Sequence, residues 1–187
     1  MKKLLLLIIG KPSSGKSYAA EFIKKRFRTS AVHSGDVVRE EIRRRGWPYT
    51  PETDRKIAEW FNQKGREKLI MKRSWVKLNK KNKILVIEGL RSKTQLRYLE
   101  IIAKMRPAII RIDSPFNVRV QRLIKRGRFG KLESAEYLRR RDRSDKSHGL
   151  WGLLKLADYS IGNNNVTKKQ FENRIQALVR SLLAKDN

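Results

Sequence analysis

Leu4-Leu5-Leu6-Leu7-Ile8-Ile9-Gly10-Lys11-Pro12-Ser13-Ser14-Gly15-Lys16-Ser17 decides the fold of this chain. Six consecutive apolar residues have the length of a strand buried on both faces, and they run directly into the pattern G-x-x-x-x-G-K-[ST]. Beyond it, Tyr18, Ala19, Phe22 and Ile23 fall at helical spacing. The expected order is strand, glycine-bracketed loop, then a helix beginning near Gly15. In such a loop successive backbone N–H groups curl around an anion, and the helix behind it aims its positive end at the same place. Gly10, Ser13, Ser14 and Gly15 would form the curl, and Lys16 would reach the β- and γ-phosphates of a nucleotide. The Ser17 hydroxyl would take one Mg2+ position. ATP and Mg2+ are the expected cofactors.

The 187 residues suit a single domain, taken as 1–187. Met1-Lys2-Lys3 before an apolar run has the look of a leader, but the run is too short and leads straight into the loop, so it reads as the first core strand. No segment approaches the roughly 20 apolar residues of a membrane span. A soluble, cytoplasmic protein without membrane contact is expected. Cysteine is absent, which excludes disulfides, thiolate metal sites and cysteine nucleophiles, and two histidines cannot make a histidine-rich metal cluster. The formal net charge is +28. ATP and an anionic second substrate reward a positive cleft, but they need only about half a dozen of the cations. Two accounts of the rest stay open at this stage: a solvated cationic surface, or contact with RNA, DNA or an acidic partner.

Strand and helix patterns alternate, as in a parallel sheet covered by helices. Strands are expected at Leu4–Ile9, Ala31–His33, Ile84–Ile87, Ala108–Ile112 and Tyr159–Gly162. Leu96, Leu99, Ile102 and Ala103 stripe one helix; Phe171, Ile175, Leu178, Val179, Leu182 and Leu183 stripe the last, with Thr167 and Gln170 as its capping box. The run Arg45 to Pro51 reads as a break, Asn163 to Asn165 as a turn, and Lys64–Lys83 as a basic helix. The fold class is α/β, a three-layer P-loop NTPase fold with five parallel strands flanked by helices.

Ligands of such sheets sit beyond the carboxyl ends of the strands, which singles out three groups. After the second strand, Asp36 and Arg39 are three residues apart on a nascent helix, and an arginine there can grip a phosphate with its planar fork. After the third, Glu88 stands where a carboxylate can hold Mg2+ through water. Gly89 lets a ligand approach the backbone, and Arg91 makes a second clamp beside Arg39. Further on, Arg122 and Arg126 share a helix face and repel unless an anion lies between them; base stacking by the first and a phosphate contact by the second would resolve this. Gly127-Arg128-Phe129-Gly130-Lys131 has glycine at both ends and leads into a charged helix, Ser134 to Lys146. It reads as a short closing lid over about 127–147, bringing Arg139, Arg140, Arg141 and Arg143 onto the phosphates. His148 and Trp151 read as packing or hinge residues.

Taken together, the Gly10–Ser17 loop, Gly35-Asp36-x-x-Arg39, Glu88-Gly89-x-Arg91 and Arg122-x-x-x-Arg126 resemble the nucleoside-monophosphate kinases, adenylate kinases above all. The match looks closest to an archaeal branch of adenylate-kinase-related proteins, through Gly35 to Glu41, Glu88 to Ser92, Arg141-Asp142 and Ala157-Asp158-Tyr159. The resemblance implies a nucleoside-monophosphate-kinase type of fold with a short helical lid and an acceptor-binding insertion over about 36–80. It implies that Arg39 and Arg91 bind the acceptor phosphate, with AMP favoured, and that Arg122 and Arg126 bind ATP. The Ala157–Asn163 segment is also similar to the end of dephospho-CoA kinases, where a backbone-rich turn containing Asn163 would cradle adenine. This chain departs from adenylate kinases in having Glu88 in place of aspartate, no proline between it and the arginine, and no zinc-bearing lid.

A monophosphate acceptor is already anionic and needs no general base; Lys16, Arg126 and Arg141 would supply the charge stabilisation. A hydroxyl acceptor needs a carboxylate, and Asp36 is the candidate. The neighbouring Arg39 favours the monophosphate. A third reading is an ATP-bound RNA- or ribosome-associated switch, supported by the net charge and by Trp60 and Trp75 around the basic segment.

Overall fold

The apolar run after Lys3 forms the central strand of a five-stranded sheet. The computed structural model describes residues 3–63, 65–127 and 130–185. The strands are β1 (Leu4–Ile9), β2 (Ser30–His33), β3 (Ile84–Glu88), β4 (Ala108–Asp113) and β5 (Tyr159–Gly162). Their order is β2-β3-β1-β4-β5, and every pairing is parallel. The five expected strands are all present, three of them one residue longer at an end. β1 has β3 on one side and β4 on the other, and all six of its residues are buried.

Nine helices are described: α1 (Lys16–Arg26), α2 (Ser34–Arg44), α3 (Pro51–Phe61), α4 (Glu67–Val76), α5 (Lys93–Ala103), α6 (Phe116–Lys125), α7 (Lys131–Ser147), α8 (Leu150–Leu154) and α9 (Lys168–Lys185). Strand alternation divides the core into two faces. Leu5, Leu7 and Ile9 pack with α2–α5 and α8; Leu4, Leu6 and Ile8 pack with α1 and α9. Val120, Leu123 and Leu138 make a smaller cluster joining α6 to α7. Local chemistry marks the helix starts. Thr50 and Thr53 cap each other across Pro51 in the first turn of α3, Ser92 Oγ accepts from Gln95 N at 3.1 Å, and Thr167 and Gln170 form the expected reciprocal pair.

Two expectations change. The helix after β2 begins at Ser34 rather than Asp36, so Gly35 and Asp36 lie in its first turn. Among the described residues of the basic segment expected as one helix over Lys64–Lys83, the helix runs over Glu67–Val76; Leu78 then turns inward and is buried, leading the chain into β3. Lys64, the leader-like Met1 and Lys2, and the hinge residues Arg128 and Phe129 lie outside the described residues. Among the described residues no helix is long and apolar enough to cross a membrane.

Candidate functional site

The loop between β1 and α1 emerges where the sheet order changes direction, the place at which open α/β sheets hold ligands. It closes on itself through Ser14 N to Lys11 O at 3.2 Å, and Lys16 Nζ lies 3.4 Å from the same carbonyl oxygen. Gly15 is the left-handed N-cap of α1, with φ 105°, and a Cβ there would run into the Asn163 amide. The loop is held from the β5 side. Asn163 Nδ2 donates to Ser14 O at 2.9 Å; Arg122 NH1 donates to Ser14 O at 3.0 Å and to Ser114 Oγ at 2.9 Å; Arg122 NH2 donates to Asn163 O at 2.7 Å. Arg122 and Asn163, singled out in the sequence for ATP, thus grip the loop's own carbonyls. Neither lines the cleft, whereas Arg126 does. Burial first, and then the charge of Arg126, lower the pKa of the Arg122 guanidinium.

The cleft in front of the loop has a volume of about 260 Å³. Gly10, Ser13, Gly15, Lys16 and Ser17 line it, as do Gly35, Arg39, Gly89, Arg91, Arg126 and Arg141. Ser14 is buried beneath the loop, with a hydroxyl that has no hydrogen-bond partner. Asp36 pairs with Arg39 and lines a second hollow, of about 360 Å³, on the far side of Arg39 and Tyr49. Burial opposes the charge of Arg39, but its bonds to Asp36 and Tyr49 win, and its pKa is raised. Of the four arginines expected to descend from α7, only Arg141 reaches the cleft; Arg139, Arg140 and Arg143 are exposed, and Arg139 lies 5.6 Å from the Phe116 ring.

Strand alternation puts Glu88 on the α1 side of β3, opposite Ile8. Its Oε1 is 2.8 Å from His33 Nδ1, and Oε2 is buried without a hydrogen-bond partner. Burial alone would raise the Glu88 pKa. The bond and charge of His33, the Lys16 ammonium and the Ser17 hydroxyl more than offset it, so the group stays ionised. Gly89 follows with φ 94°, and a Cβ there would sit 2.7 Å from Ser34 Oγ and 2.9 Å from His33 Nδ1. One hydroxyl, one carboxylate with a spare buried oxygen and room for phosphates suit Mg2+, which keeps several waters and takes few protein ligands.

Sequence reasoning missed four features. His33 is the last residue of β2, one position before the stretch inspected. Asp145 on α7 is buried 3.3 Å from Arg91 NH1 and 4.0 Å from Arg141 Nε, and its i, i+4 spacing from Arg141 was the available signal. Gln95 Oε1 accepts from Arg91 N at 2.8 Å and Gln95 Nε2 donates to Asn62 Oδ1 at 3.1 Å, an amide pair on the cleft wall. Arg119 is almost fully buried and makes two bonds to Asp142, of 2.9 and 2.7 Å, and one of 3.2 Å to Pro12 O, tying α6 and α7 to the loop. At Lys16, burial lowers the pKa most; Glu88 and Asp145 support the ammonium, and Arg91 and Arg141 oppose it. For Arg91, burial again leads, opposed by Asp145 and reinforced by Arg141. The site is a ring of cations around Lys16, with Asp145, Glu88 and Asp54 as its anions. It can bind phosphates and stabilise charge moving between them.

A protein-family model described as "AAA domain" matches residues 6–143. The UPF0200 protein of Thermococcus onnurineus is 32% identical over 191 residues, spanning 97% of this chain and 99% of that protein. Among solved structures, shikimate kinase from Acinetobacter baumannii, in complex with shikimate, superimposes with a TM-score of 0.58 at 14% identity, covering 98% of this chain and 94% of that one. A gluconokinase from Sinorhizobium meliloti gives 0.56 at 13% identity over 99% and 98%. At these identities the two kinases establish a shared fold, the P-loop kinase fold with its five parallel strands.

Proposed function

The chain belongs to the AAA-domain family and to the UPF0200 proteins, and from that premise we propose that it is an ATP- and Mg2+-dependent phosphotransferase whose acceptor is a nucleoside monophosphate, AMP foremost. The observation that carries the reading is the convergence of Arg39 and Arg91, from the ends of two different strands, on the cleft that contains Lys16. Two guanidinium groups facing a P-loop lysine make a second phosphate site beside the first. The Gln95–Asn62 pair on the same wall offers the amide edge that reads a purine.

The acceptor phosphate oxygen would attack the γ-phosphorus as the bond to the β-phosphate oxygen breaks, giving two diphosphates from ATP and AMP. The attacking oxygen carries its own charge, so no base is required. Lys16 would hold the β- and γ-oxygens. Arg126 and Arg141 would neutralise the charge on the group in transit, and α7 would cover the cleft as a short lid against water. Ser17 and Glu88 would hold Mg2+, which neutralises charge on the phosphates when bound.

One observation favours a second reading, transfer to a hydroxyl. Asp145 places a buried carboxylate in the cleft, and both kinases of the same fold named above are named for hydroxyl-bearing small molecules. Asp145 would then take the proton, and not Asp36, the base expected from the sequence, which lines the hollow beyond Arg39 rather than the cleft. The switch reading loses support, because the tryptophan faces are taken by the chain's own cations. Arg45 and Arg66 lie 4.7 and 4.5 Å from the Trp60 ring, and Lys80 lies 5.6 Å from Trp75. A coupled assay for ADP release, with ATP and Mg2+ against AMP, CMP, UMP, GMP, dephospho-CoA, shikimate, gluconate and no acceptor, separates the readings. Stimulation by AMP above all others is expected. Stimulation by a hydroxyl acceptor alone would overturn the monophosphate reading.

A further inference from the structure

In an all-parallel sheet every strand starts on one side of the molecule, and here that side lies opposite the loop and cleft. Basic residues stand just before the first four strands: Lys3 before β1, Arg28 before β2, Lys81 and Lys83 before β3, and Arg106 before β4, where Arg106 also pairs with Asp158, the residue that precedes β5. The pairing of Leu4 with Ile84 sets Lys3 beside Lys83 at the strand starts, and Arg28 lies two residues before Ser30, which pairs with Leu85. Arg106 follows on the next strand, whose Ala108 is opposite Leu6. Four adjacent strand starts at about 4.8 Å spacing make a row about 14 Å long. A row of that length suits a chain of anions rather than a single one.

A second observation concerns backbone conformation. Arg28 ends α1 with φ 48°, and Lys104 ends α5 with φ 53°. Thr29 N bonds to Lys24 O at 3.0 Å, the bond that closes a helix end around a left-handed residue. Glycine takes this conformation freely and side-chain residues do not. After α2 and α6 the chain does use glycine, Gly46 with φ 69° and Gly127 with φ 67°. Helix dipoles explain cations near helix C-termini, but not their placement at the one position where glycine is cheaper. Both side chains are exposed.

We propose that this face, remote from the cleft, binds the phosphodiester backbone of a nucleic acid strand without reading its sequence. The assignment does not depend on which acceptor the cleft takes. The test uses the full chain and three probes: a fluorescein-labelled 20-nucleotide single-stranded RNA, a 20-base-pair DNA duplex, and vesicles containing phosphatidylserine, from 50 to 300 mM KCl. The decisive variant is Arg28→Gly/Lys104→Gly, which removes two cations while relieving the backbone. Its thermal midpoint should match or exceed that of the wild type, and its ATP affinity should be unchanged. Its affinity for RNA or DNA should fall at least fivefold, and the slope of log K against log salt should become shallower by about 1.4–1.8, one phosphate contact per cation. Whichever nucleic acid binds more tightly identifies the source of the backbone. Three results would overturn the proposal: nucleic-acid binding that the double variant leaves intact, an equal loss in Arg140→Ala/Arg143→Ala on α7, or capture of the vesicles with no binding of either nucleic acid.

Discussion

The Asp145 carboxylate on α7 stands 3.3 Å from the guanidinium of Arg91 at the end of β3, and 4.0 Å from that of Arg141. A buried anion therefore occupies the arginines to which a phosphate would bind. Asp145→Asn should leave Arg91 and Arg141 facing each other without compensation. Removing one partner of a buried pair costs about 3–5 kcal/mol, less here because Arg91 is partly open to water; roughly 2 kcal/mol is expected. Thermal unfolding should show the loss in the free protein and its recovery with saturating AMP, together with a lower KM for AMP. An unchanged midpoint would mean that Asp145 does not hold α7 to β3.

Lys16 has the cations Arg91 and Arg141 and the anions Glu88 and Asp145 around it. Lys16→Ala should lower kcat by at least the 10²–10³-fold typical of losing one charge-stabilising donor, with little effect on folding because an opposed, desolvated cation is removed. ADP release and circular dichroism measured together check this. Full turnover in the variant would end the phosphotransfer reading.

Arg39 forms the wall between the cleft and the hollow lined by Asp36. Arg39→Ala should raise the KM for AMP by about 10–100-fold, the 1.5–3 kcal/mol of a charged hydrogen bond, while the KM for ATP stays put. If AMP kinetics do not move, the acceptor phosphate binds elsewhere.

Arg122 and Arg126 resemble a matched pair in sequence, yet the first holds Ser14 O, Ser114 Oγ and Asn163 O while the second faces the cleft. Arg122→Ala should lower the thermal midpoint by several degrees and weaken ATP binding indirectly, through a loosened loop. Arg126→Ala should leave the midpoint within a degree or two and lower kcat. Equal stability losses in the two variants would contradict this division of roles.

The sheet was legible because β1 and β3 are buried along their whole length, β4 is buried at Ile109, Ile110 and Ile112, and the runs of β1 and β3 end at glycine or a polar residue. The loop and the strand-end residues Arg39, Glu88, Gly89 and Arg91 were legible for the same reason: topology brings strand ends together whatever lies between. Partners that depend on how separate helices pack were not legible. Asp145 gains its meaning only when α7 approaches β3, and Arg119, one arginine among many in the sequence, is distinguished only by its burial against Asp142. Sequence spacing put Arg122 and Arg126 on one helix face, but only the fold shows Asn163, just past β5, supplying a carbonyl that claims Arg122.

Glu41 shows how the excess of cations is tied into the fold. Its fully buried carboxylate accepts from Arg44 at 2.7 and 3.0 Å, from Arg45 at 2.8 Å and, across the α2–α4 interface, from Arg73 at 2.8 Å. The Arg44 bonds lead in holding its pKa far below the ordinary carboxylate range, against the opposing effect of burial. A group with a depressed folded pKa contributes stability that is present above its unfolded pKa, about 4.3, and is lost as pH falls toward the folded value. Between pH 4 and pH 3 the unfolded chain binds this proton and the folded protein does not, a slope approaching 1.4 kcal/mol per pH unit. Glu41→Gln should cost about 3 kcal/mol at pH 7 and remove that part of the slope, so the two unfolding free energies converge as the solution is acidified. Urea titrations of both proteins at pH 7, 5, 4 and 3 measure this. Parallel curves over the whole range would mean that Glu41 is not the ionised centre of the arginine cluster.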